Sequence, residues 1–243
     1  MYEGRRVLAV VPARGGSKGV KLKNLRPVGG VPLVALAGKV AAQCDFIDRA
    51  VVSTDHDEIA RVASEHGAEI PFRRPDDLAT DTASMVAVLK HAVTWMEAEG
   101  GVDRVDFIAC MQPTSPLGTP NDLDRAVQMI FDHADADAMM SVCEVEHTPY
   151  YMKKIVGGRL VPLLPDDDPL RPLQNRQLAP IAVYRPAGVV TVTRRDVLMV
   201  RNLRHGTNTL PMILGPKAAI NIDHEIDFVV AESVLADNRT TGE

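Results

Sequence analysis

Residues 6–25 read RVLAVVPARGGSKGVKLKNL, and this stretch decides the fold. A short apolar run rich in valine is typical of a buried strand, and here it ends at a proline and a glycine-rich turn. The turn carries Arg14, Lys18, Lys21 and Lys23 within ten residues. Glycines let backbone N–H groups approach phosphate oxygens, and nearby cations offset phosphate charge. The stretch therefore predicts a strand that leads into a phosphate-binding loop, and not a Walker A loop, because the G-x-x-x-x-G-K-[ST] spacing is missing.

Short apolar segments alternate with helical patterns along much of the chain. Strands are predicted at residues 6–11, 49–53, 105–111, 138–142 and 188–192, and helices at residues 32–44, 57–66, 83–99, 121–133 and 227–236. This alternation predicts a Rossmann-like α/β fold with a mostly parallel sheet flanked by helices, and the strand at 188–192 is expected to resume the parallel pattern. The ligand site is expected at the carboxyl ends of the strands, in the loops after Val11, Ser53 and Met111.

The alternation breaks between residues 145 and 177. Five prolines, a run of three aspartates and a Gly-Gly pair interrupt this segment. We interpret it as an inserted hairpin suited to a dimer arm or a lid. The predicted division is a core of residues 1–144 and 178–243 and an arm of residues 145–177.

Composition excludes several classes of protein. The 243 residues carry a net charge of −5, so no nucleic-acid-binding surface is indicated. No apolar stretch reaches the length of a membrane span, and the first apolar run is too short for a signal peptide. Three scattered cysteines (Cys44, Cys110 and Cys143) fit neither a disulfide framework nor a zinc site. A cytoplasmic protein is expected.

Five motifs together resemble the acylneuraminate cytidylyltransferases, the CMP-sialic acid synthetase family. That family has a loop of the form P-A-R-G-G-S-K-G-x-x-x-K-N after its first strand, which residues 12–24 match. The other motifs are VVSTDHDEIA (51–60), HGAEIPFRRPDDLATDTAS (66–84), MQPTSPL (111–117) and AINIDHEIDF (219–228). The resemblance implies a nucleotidyltransferase that moves CMP from CTP to a nonulosonic acid, works in cell-surface polysaccharide biosynthesis and forms a homodimer.

The resemblance also assigns roles to residues. Arg14, Lys18 and Asp223 are expected to be catalytic, because they would hold the triphosphate and its metal ion. The expected nucleotide-binding residues are Arg14, Gly15, Gly16, Ser17, Lys18, Lys23, Asn24, Arg74 and Ser84. The R-P and D-T-A-S elements of the family help to enclose cytosine, which is why Arg74 and Ser84 are included.

Several of these residues have simpler interpretations. Without the resemblance, Arg74 reads as a solvated charge beside its neighbouring arginine. Thr114 and Ser115 lie between two prolines and are more typical of a turn. Asp55 could cap the helix predicted at residue 57 or face the nucleotide, and capping is the favoured interpretation.

The metal element of the family, I-D-I-D-x-E-x-D, is altered in this chain. The sequence has Asn221 where the first aspartate is expected and Asp223 at the second position. Alternation along a strand would put both side chains on one face, so an amide oxygen or a bound water could still serve Mg²⁺. The missing negative charge is expected to weaken metal binding when CTP is absent. Asp223 and Asn221 are the predicted ligands.

The sugar is expected to contact Gln112, Tyr151, Arg176 and Arg185. An arginine fork suits the carboxylate of a nonulosonic acid, and a neutral amide suits its hydroxyls. The family's R-x-N-G element has Ala187 in place of asparagine, and the Pro-Tyr-Tyr element at 149–151 resembles the legionaminic-acid branch. These departures predict conserved chemistry with an altered acceptor. The alternatives are an enzyme for another acid sugar, such as 3-deoxy-octulosonate, and a nucleotide-binding protein without turnover.

Overall fold

The computed structural model describes residues 4–17, 19–164 and 182–241, with side chains up to residue 237. The strands are β1 (Val7–Pro12), β2 (Pro27–Val28), β3 (Val31–Pro32), β4 (Arg49–Ser53), β5 (Phe107–Cys110), β6 (Ala138–Glu144), β7 (Lys153–Val156), β8 (Arg159–Pro162), β9 (Tyr184–Arg194) and β10 (Thr209–Ile213). The α-helices are α1 (Leu33–Ala42), α2 (Asp57–Glu65), α3 (Met85–Ala98), α4 (Pro120–Asp132), α5 (Arg195–Met199) and α6 (Glu225–Thr241). Short 3₁₀ helices cover Lys23–Leu25, Asp76–Leu78 and Pro149–Tyr151.

The central sheet has six strands in the order β10-β6-β9-β5-β1-β4. β1 pairs in parallel with β4 and β5, and β10 pairs in parallel with β6. The predicted α/β fold with a mostly parallel sheet is confirmed. The prediction that residues 188–192 resume the parallel pattern is wrong, because β9 is antiparallel to both β5 and β6. The described part of the β6–β9 connection is a hairpin without a crossover helix, so the chain returns beside β6 in the opposite direction.

Both faces of β1 are buried, which explains why this strand is apolar at every position. Val7, Ala9 and Val11 belong to the larger apolar cluster, whereas Leu8 and Val10 face a second cluster that includes residues of α3. A strand covered on both faces reads as a continuous apolar run. The chain leaves the covered part of the sheet at the end of β1. The glycine-rich loop therefore lies at the carboxyl edge of the sheet.

The start of α4 is fixed by a capping box one residue before the helix. Thr119 is the N-cap, and its hydroxyl accepts a hydrogen bond from the Asp122 backbone N–H at 3.2 Å. The Asp122 carboxylate in turn accepts from the Thr119 N–H at 3.0 Å, which completes a capping box. Such caps contribute about 1 kcal/mol, and this one orients the turn that follows β5.

The described part of the inserted segment contains the β7–β8 hairpin. Its large apolar side chains are open to solvent, with Ile155 at 74% and Leu160 at 73% exposure. Residues 165–181 lie outside the described part of the chain. Among the described helices, none is long and apolar enough to cross a membrane. Cys44, Cys110 and Cys143 are all buried free thiols.

Asp137 secures the start of β10 and should make stability depend on pH. Its carboxylate accepts two hydrogen bonds from Arg201 and one from the Asn208 N–H at 3.1 Å. The Arg201 bonds, followed by the Asn208 bond, lower the pKa of Asp137 from an ordinary 3.8 to about 2. A lowered pKa stabilises the fold above the unfolded value, and this stabilisation is lost as pH falls through the folded value. We expect Asp137→Asn to lower the urea midpoint at pH 7, with the deficit shrinking between pH 4 and pH 2.

The matched control is Asp103→Asn. Asp103 also pairs with an arginine, Arg6, but 89% of its side chain is exposed. Exposed pairs contribute little to stability, so the urea midpoint of this control should stay close to that of the unaltered protein. An equal loss in both variants at pH 7 would show that the Asp137 contacts have no special role.

Candidate active site

A cleft of about 610 Å³ opens at the carboxyl edge of the sheet, beside the ends of β1 and β5. Its walls come from the glycine-rich loop, from the segments that follow β4 and β5, and from the chain before α6. The lining residues are Pro12, Arg14, Ser17, Gly19, Lys23, Asn24, Arg74, Met85, Gln112, Pro113, Thr114, Asn221, Asp223 and His224. Motifs up to 200 positions apart in sequence therefore meet in one concave site.

The glycine-rich loop is held by side chains from beneath. Asn24 is 5% exposed and donates from Nδ2 to the Arg14 carbonyl at 3.0 Å, so its amide nitrogen organises the loop. The Gly15 N–H donates to Asp55 Oδ1 at 3.0 Å and is thus already satisfied. A Cβ on Gly15 would lie 2.7 Å from the His56 ring, whereas a Cβ on Gly16 would have no described atom within 4 Å apart from its chain neighbours. The loop therefore packs against His56 at Gly15 and is exposed at Gly16.

The favoured interpretation of Asp55 as a helix cap is wrong. The N-cap of α2 is His56, without a side-chain capping bond, and the Asp55 carboxylate accepts from the glycine-rich loop instead. Parallel pairing explains this, because β4 lies beside β1 and the ends of the two strands meet. Neither a helix cap nor a nucleotide contact anticipated this partner, which lies 40 positions away in the sequence.

Gly19 lies against the backbone of the C-terminal motif. A Cβ at this position would overlap the carbonyl oxygen of Asp223, which is backbone and cannot rotate away. The contact brings the loop to Asp223 and Asn221. Leu22 then adopts a left-handed conformation (φ 49°) before the 3₁₀ turn that directs Lys23 into the cleft. The predicted catalytic residue Lys18 lies outside the described residues.

Arg14 lies in the cleft and pairs with Asp81 at 2.9 Å, a contact that sequence reasoning did not identify. Asp81 is the first residue of the D-T-A-S element. The motif was identified from the sequence, but Ser84 was named as its functional residue in place of Asp81. Ser84 is exposed and begins α3 without a side-chain capping bond. It does not line the cleft, whereas the next residue, Met85, does.

Arg74 is 3% exposed and is not the solvated charge of the simpler interpretation. Its guanidinium donates from Nε to Ser53 Oγ at 3.1 Å and from one terminal nitrogen to the Ser53 carbonyl at 2.5 Å. Burial lowers the pKa of Arg74 to about 10, and the nearby Asp55 carboxylate partly opposes this effect. A buried cation that faces a cleft and has a spare nitrogen is suited to an acceptor edge of a bound base.

Asn221 and Asp223 both line the cleft, but residues 220–224 form no strand, so the strand alternation used to predict their common side is absent. The Asn221 amide donates from Nδ2 to Asp223 Oδ2 at 2.5 Å, and its Oδ1 accepts from the Thr114 hydroxyl at 2.7 Å. Lys23 Nζ lies 3.0 Å from Asp223 Oδ1. Thr114 is thus part of the site, contrary to its interpretation as a simple turn residue. Its neighbour Ser115 is structural, donating to the Ala187 carbonyl at 3.1 Å.

The residues predicted for the sugar do not all converge within one chain. Gln112 lines the cleft. Tyr151 and Arg185 do not, and Arg185 donates to the carbonyls of Pro186 and Ala219. Arg176 lies outside the described residues. Ala187 is 1% exposed in the core, so its side chain does not line the cleft, and the departure at this position is no argument for an altered acceptor.

Comparisons with known proteins agree with this geometry. A family model described as Cytidylyltransferase matches residues 8–157. CMP-N,N'-diacetyllegionaminic acid synthase of Legionella pneumophila is 29% identical over 238 residues, covering 96% of this chain and 98% of that protein. N-acylneuraminate cytidylyltransferase of Oncorhynchus mykiss is 31% identical over 230 residues, covering 95% of this chain but 50% of that protein.

A solved structure shows the same fold. CMP:2-keto-3-deoxy-manno-octonic acid synthetase complexed with CTP aligns with a TM-score of 0.68 and 18% identity, over 96% of this chain and 99% of that one. Low identity with high coverage shows a common architecture and leaves the substrate to the site itself. The family match shows that this chain belongs to the cytidylyltransferase family, and it is similar to CMP-legionaminic acid synthases and N-acylneuraminate cytidylyltransferases.

Proposed function

We propose that this chain transfers CMP from CTP to a nonulosonic acid, forming the CMP-sugar and pyrophosphate. The observation that carries the proposal is the contact of Gly19 with the Asp223 carbonyl, which unites the basic loop and the C-terminal acid in one cleft. Relatives named for legionaminic, N-acylneuraminic and pseudaminic acids support this class of acceptor. They are the reason for preferring it to 3-deoxy-octulosonate.

The cleft suggests how each substrate lies. The triphosphate would follow the loop past Arg14, Ser17 and Lys23, because two cations and a hydroxyl line the cleft there. The base would lie toward Arg74, and the acceptor toward Gln112. In this arrangement the sugar hydroxyl attacks the α-phosphorus from the side opposite to the departing pyrophosphate. The protein contributes by positioning the two substrates and stabilising the developing charge.

Mg²⁺ is part of the proposal, and the donor set fits it in a limited way. Mg²⁺ uses one or two carboxylates together with phosphate oxygens and water. The cleft offers the exposed Asp223 carboxylate and the Asn221 amide oxygen, and no cluster of three His, Cys, Asp or Glu side chains occurs among the described residues. When bound, the ion would neutralise phosphate charge. Asp223 is the residue that would hold it, with Asn221 as a weaker donor.

We also propose a cytoplasmic homodimer in which the inserted segment 145–177 is the arm between subunits. The exposed apolar side chains of the β7–β8 hairpin support an arm that packs on another surface, and the buried free thiols support a reducing compartment. Light scattering at micromolar concentration should give twice the chain mass. A monomer there would remove the dimer from the proposal.

The function is tested by measuring pyrophosphate release with a panel of substrates. Each nucleoside triphosphate is paired with N-acetylneuraminic, legionaminic, pseudaminic and 3-deoxy-octulosonic acids, with Mg²⁺ present. We expect turnover with CTP and one or more nonulosonic acids, and at least about 100-fold less with the other triphosphates. Preference for 3-deoxy-octulosonate would replace the acceptor class. Tight CTP binding without turnover on any acid would favour a nucleotide-binding protein that lacks catalysis.

A further inference from the structure

The starting point is that both oxygens of the Asp223 carboxylate already have donors. Lys23 Nζ contacts Oδ1 at 3.0 Å, and Asn221 Nδ2 contacts Oδ2 at 2.5 Å. Thr114 sets the orientation of the Asn221 amide, because its hydroxyl donates to the amide oxygen, Asn221 Oδ1. In the nucleotide-free protein the amide therefore acts toward Asp223 as a hydrogen-bond donor.

Lys23 is held where a cation would be needed. Its ammonium also donates to the Ile222 carbonyl at 2.5 Å, and only 13% of its side chain is exposed, against 61% for Asp223. The 3₁₀ turn fixes its direction of approach. A positive charge that is shielded and held by two oxygens of one segment is a resident counter-ion for that carboxylate.

Asn221 has a related effect. Asn221 Nδ2 now lies 2.5 Å from Asp223 Oδ2. An aspartate at position 221 would place a second carboxylate close to that oxygen. Two carboxylates so close cannot both remain ionised without a cation between them. The amide removes that repulsion and replaces it with a hydrogen bond. The site is thus organised without a metal ion.

We propose that Lys23 and Asn221 together take the place of a divalent cation at Asp223 in the nucleotide-free protein. The consequence is weak binding of divalent cations by the free protein. When CTP binds, its phosphate oxygens would compete for the Lys23 ammonium and so release one oxygen of Asp223. Only this exchange of partners rests on the proposed function. Lys23 is then a positioning residue with two alternative partners.

The test measures Mn²⁺ binding to the nucleotide-free protein by the electron paramagnetic resonance signal of unbound Mn²⁺. We expect a Kd near or above about 1 mM for the unaltered chain, typical of a single exposed carboxylate. Asn221→Asp should tighten binding at least about 10-fold, and Lys23→Met about 3-fold or more. The double variant should bind most tightly, and adding Asp223→Asn to it should abolish the gain.

Lys21→Met is the matched control. Lys21 is an exposed lysine of the same loop, so its loss changes the net charge equally without freeing Asp223. Binding should change less than about 2-fold. Tight binding by the unaltered protein, or an equal gain from Lys21→Met and Lys23→Met, would overturn the inference. If Lys23→Met does not fold, as judged by circular dichroism, the result for Asn221→Asp decides. No nucleotide or sugar is present, so the outcome is independent of the substrate panel.

Discussion

Replacing Gly19 by alanine should lower kcat/KM for CTP by at least about 100-fold while leaving the core folded. The added Cβ would overlap the Asp223 carbonyl oxygen, and neither backbone can move without shifting the loop or the chain before α6. Such a shift separates the loop cations from Asp223. Displacements of about 1 Å at a phosphoryl-transfer site cost about two orders of magnitude in rate, because catalysis there depends on positioning. Steady-state kinetics with the preferred acid sugar would measure the loss.

Gly16→Ala is the matched control in the same loop. No atom of the described residues lies within 4 Å of a Cβ at this position, and Gly16 does not have a positive φ. The variant should keep kcat/KM within about 10-fold of the unaltered protein. Both variants should unfold at similar urea concentrations, since Gly16 and Gly19 are exposed. Equal activity of Gly19→Ala and Gly16→Ala would show that activity does not depend on the position of the loop relative to Asp223.

Replacing Arg74 by methionine should raise the Kd for CTP by about 30-fold or more and weaken the preference for cytosine. Hydrogen bonds that involve a charged group contribute about 1.5–3 kcal/mol, and one or two of these to the base would account for the loss. Stability should fall by about 1–3 kcal/mol, because the buried Ser53 hydroxyl loses its Arg74 donor while methionine fills a similar volume. The Ser53 carbonyl keeps a donor, the Ala13 N–H at 2.9 Å.

Arg73→Met provides the comparison, since the two arginines are adjacent in sequence but different in environment. The Arg73 side chain is 58% exposed and pairs with Asp57 on the surface. Isothermal titration with CTP and with UTP should show less than about 2-fold change for this variant. If Arg73→Met weakens CTP binding as much as Arg74→Met, the effect comes from long-range charge and the assignment of Arg74 to the base is wrong.

The difference between Arg73 and Arg74 shows the limit of reading a sequence position by position. Nothing in the local pattern says which of two adjacent arginines is buried. The structure resolves it because β4 ends at Ser53, whose hydroxyl and carbonyl receive Arg74. Asp55 illustrates the same point. Its two predicted interpretations were a helix cap and a nucleotide contact. Its actual partner is Gly15, in the loop that follows the neighbouring strand β1.

The fold was largely predictable because its signals are local. The β1 run, buried on both faces, and the glycines that follow it determine a strand and a loop through period and backbone freedom alone. The resemblance to the family identified Arg14, Lys23, Gln112, Asn221 and Asp223 as site residues, and all five line the cleft. The antiparallel direction of β9 was not predictable, because a strand's own pattern carries no information about the direction of its neighbours.

By itself, the sequence determined that this chain is an α/β protein with a basic loop suited to phosphate, and the resemblance to the family added that an amide stands where an acid is expected. Periodicity, glycine positions and residue charge are properties of short segments, so they need no knowledge of distant contacts. Only the tertiary structure decided that Lys23 and Asn221 both bond to Asp223, that Arg14 pairs with Asp81, and that Ala187 lies in the core. Those relations depend on which strand ends are neighbours in the sheet, and that order arises from packing of the whole chain.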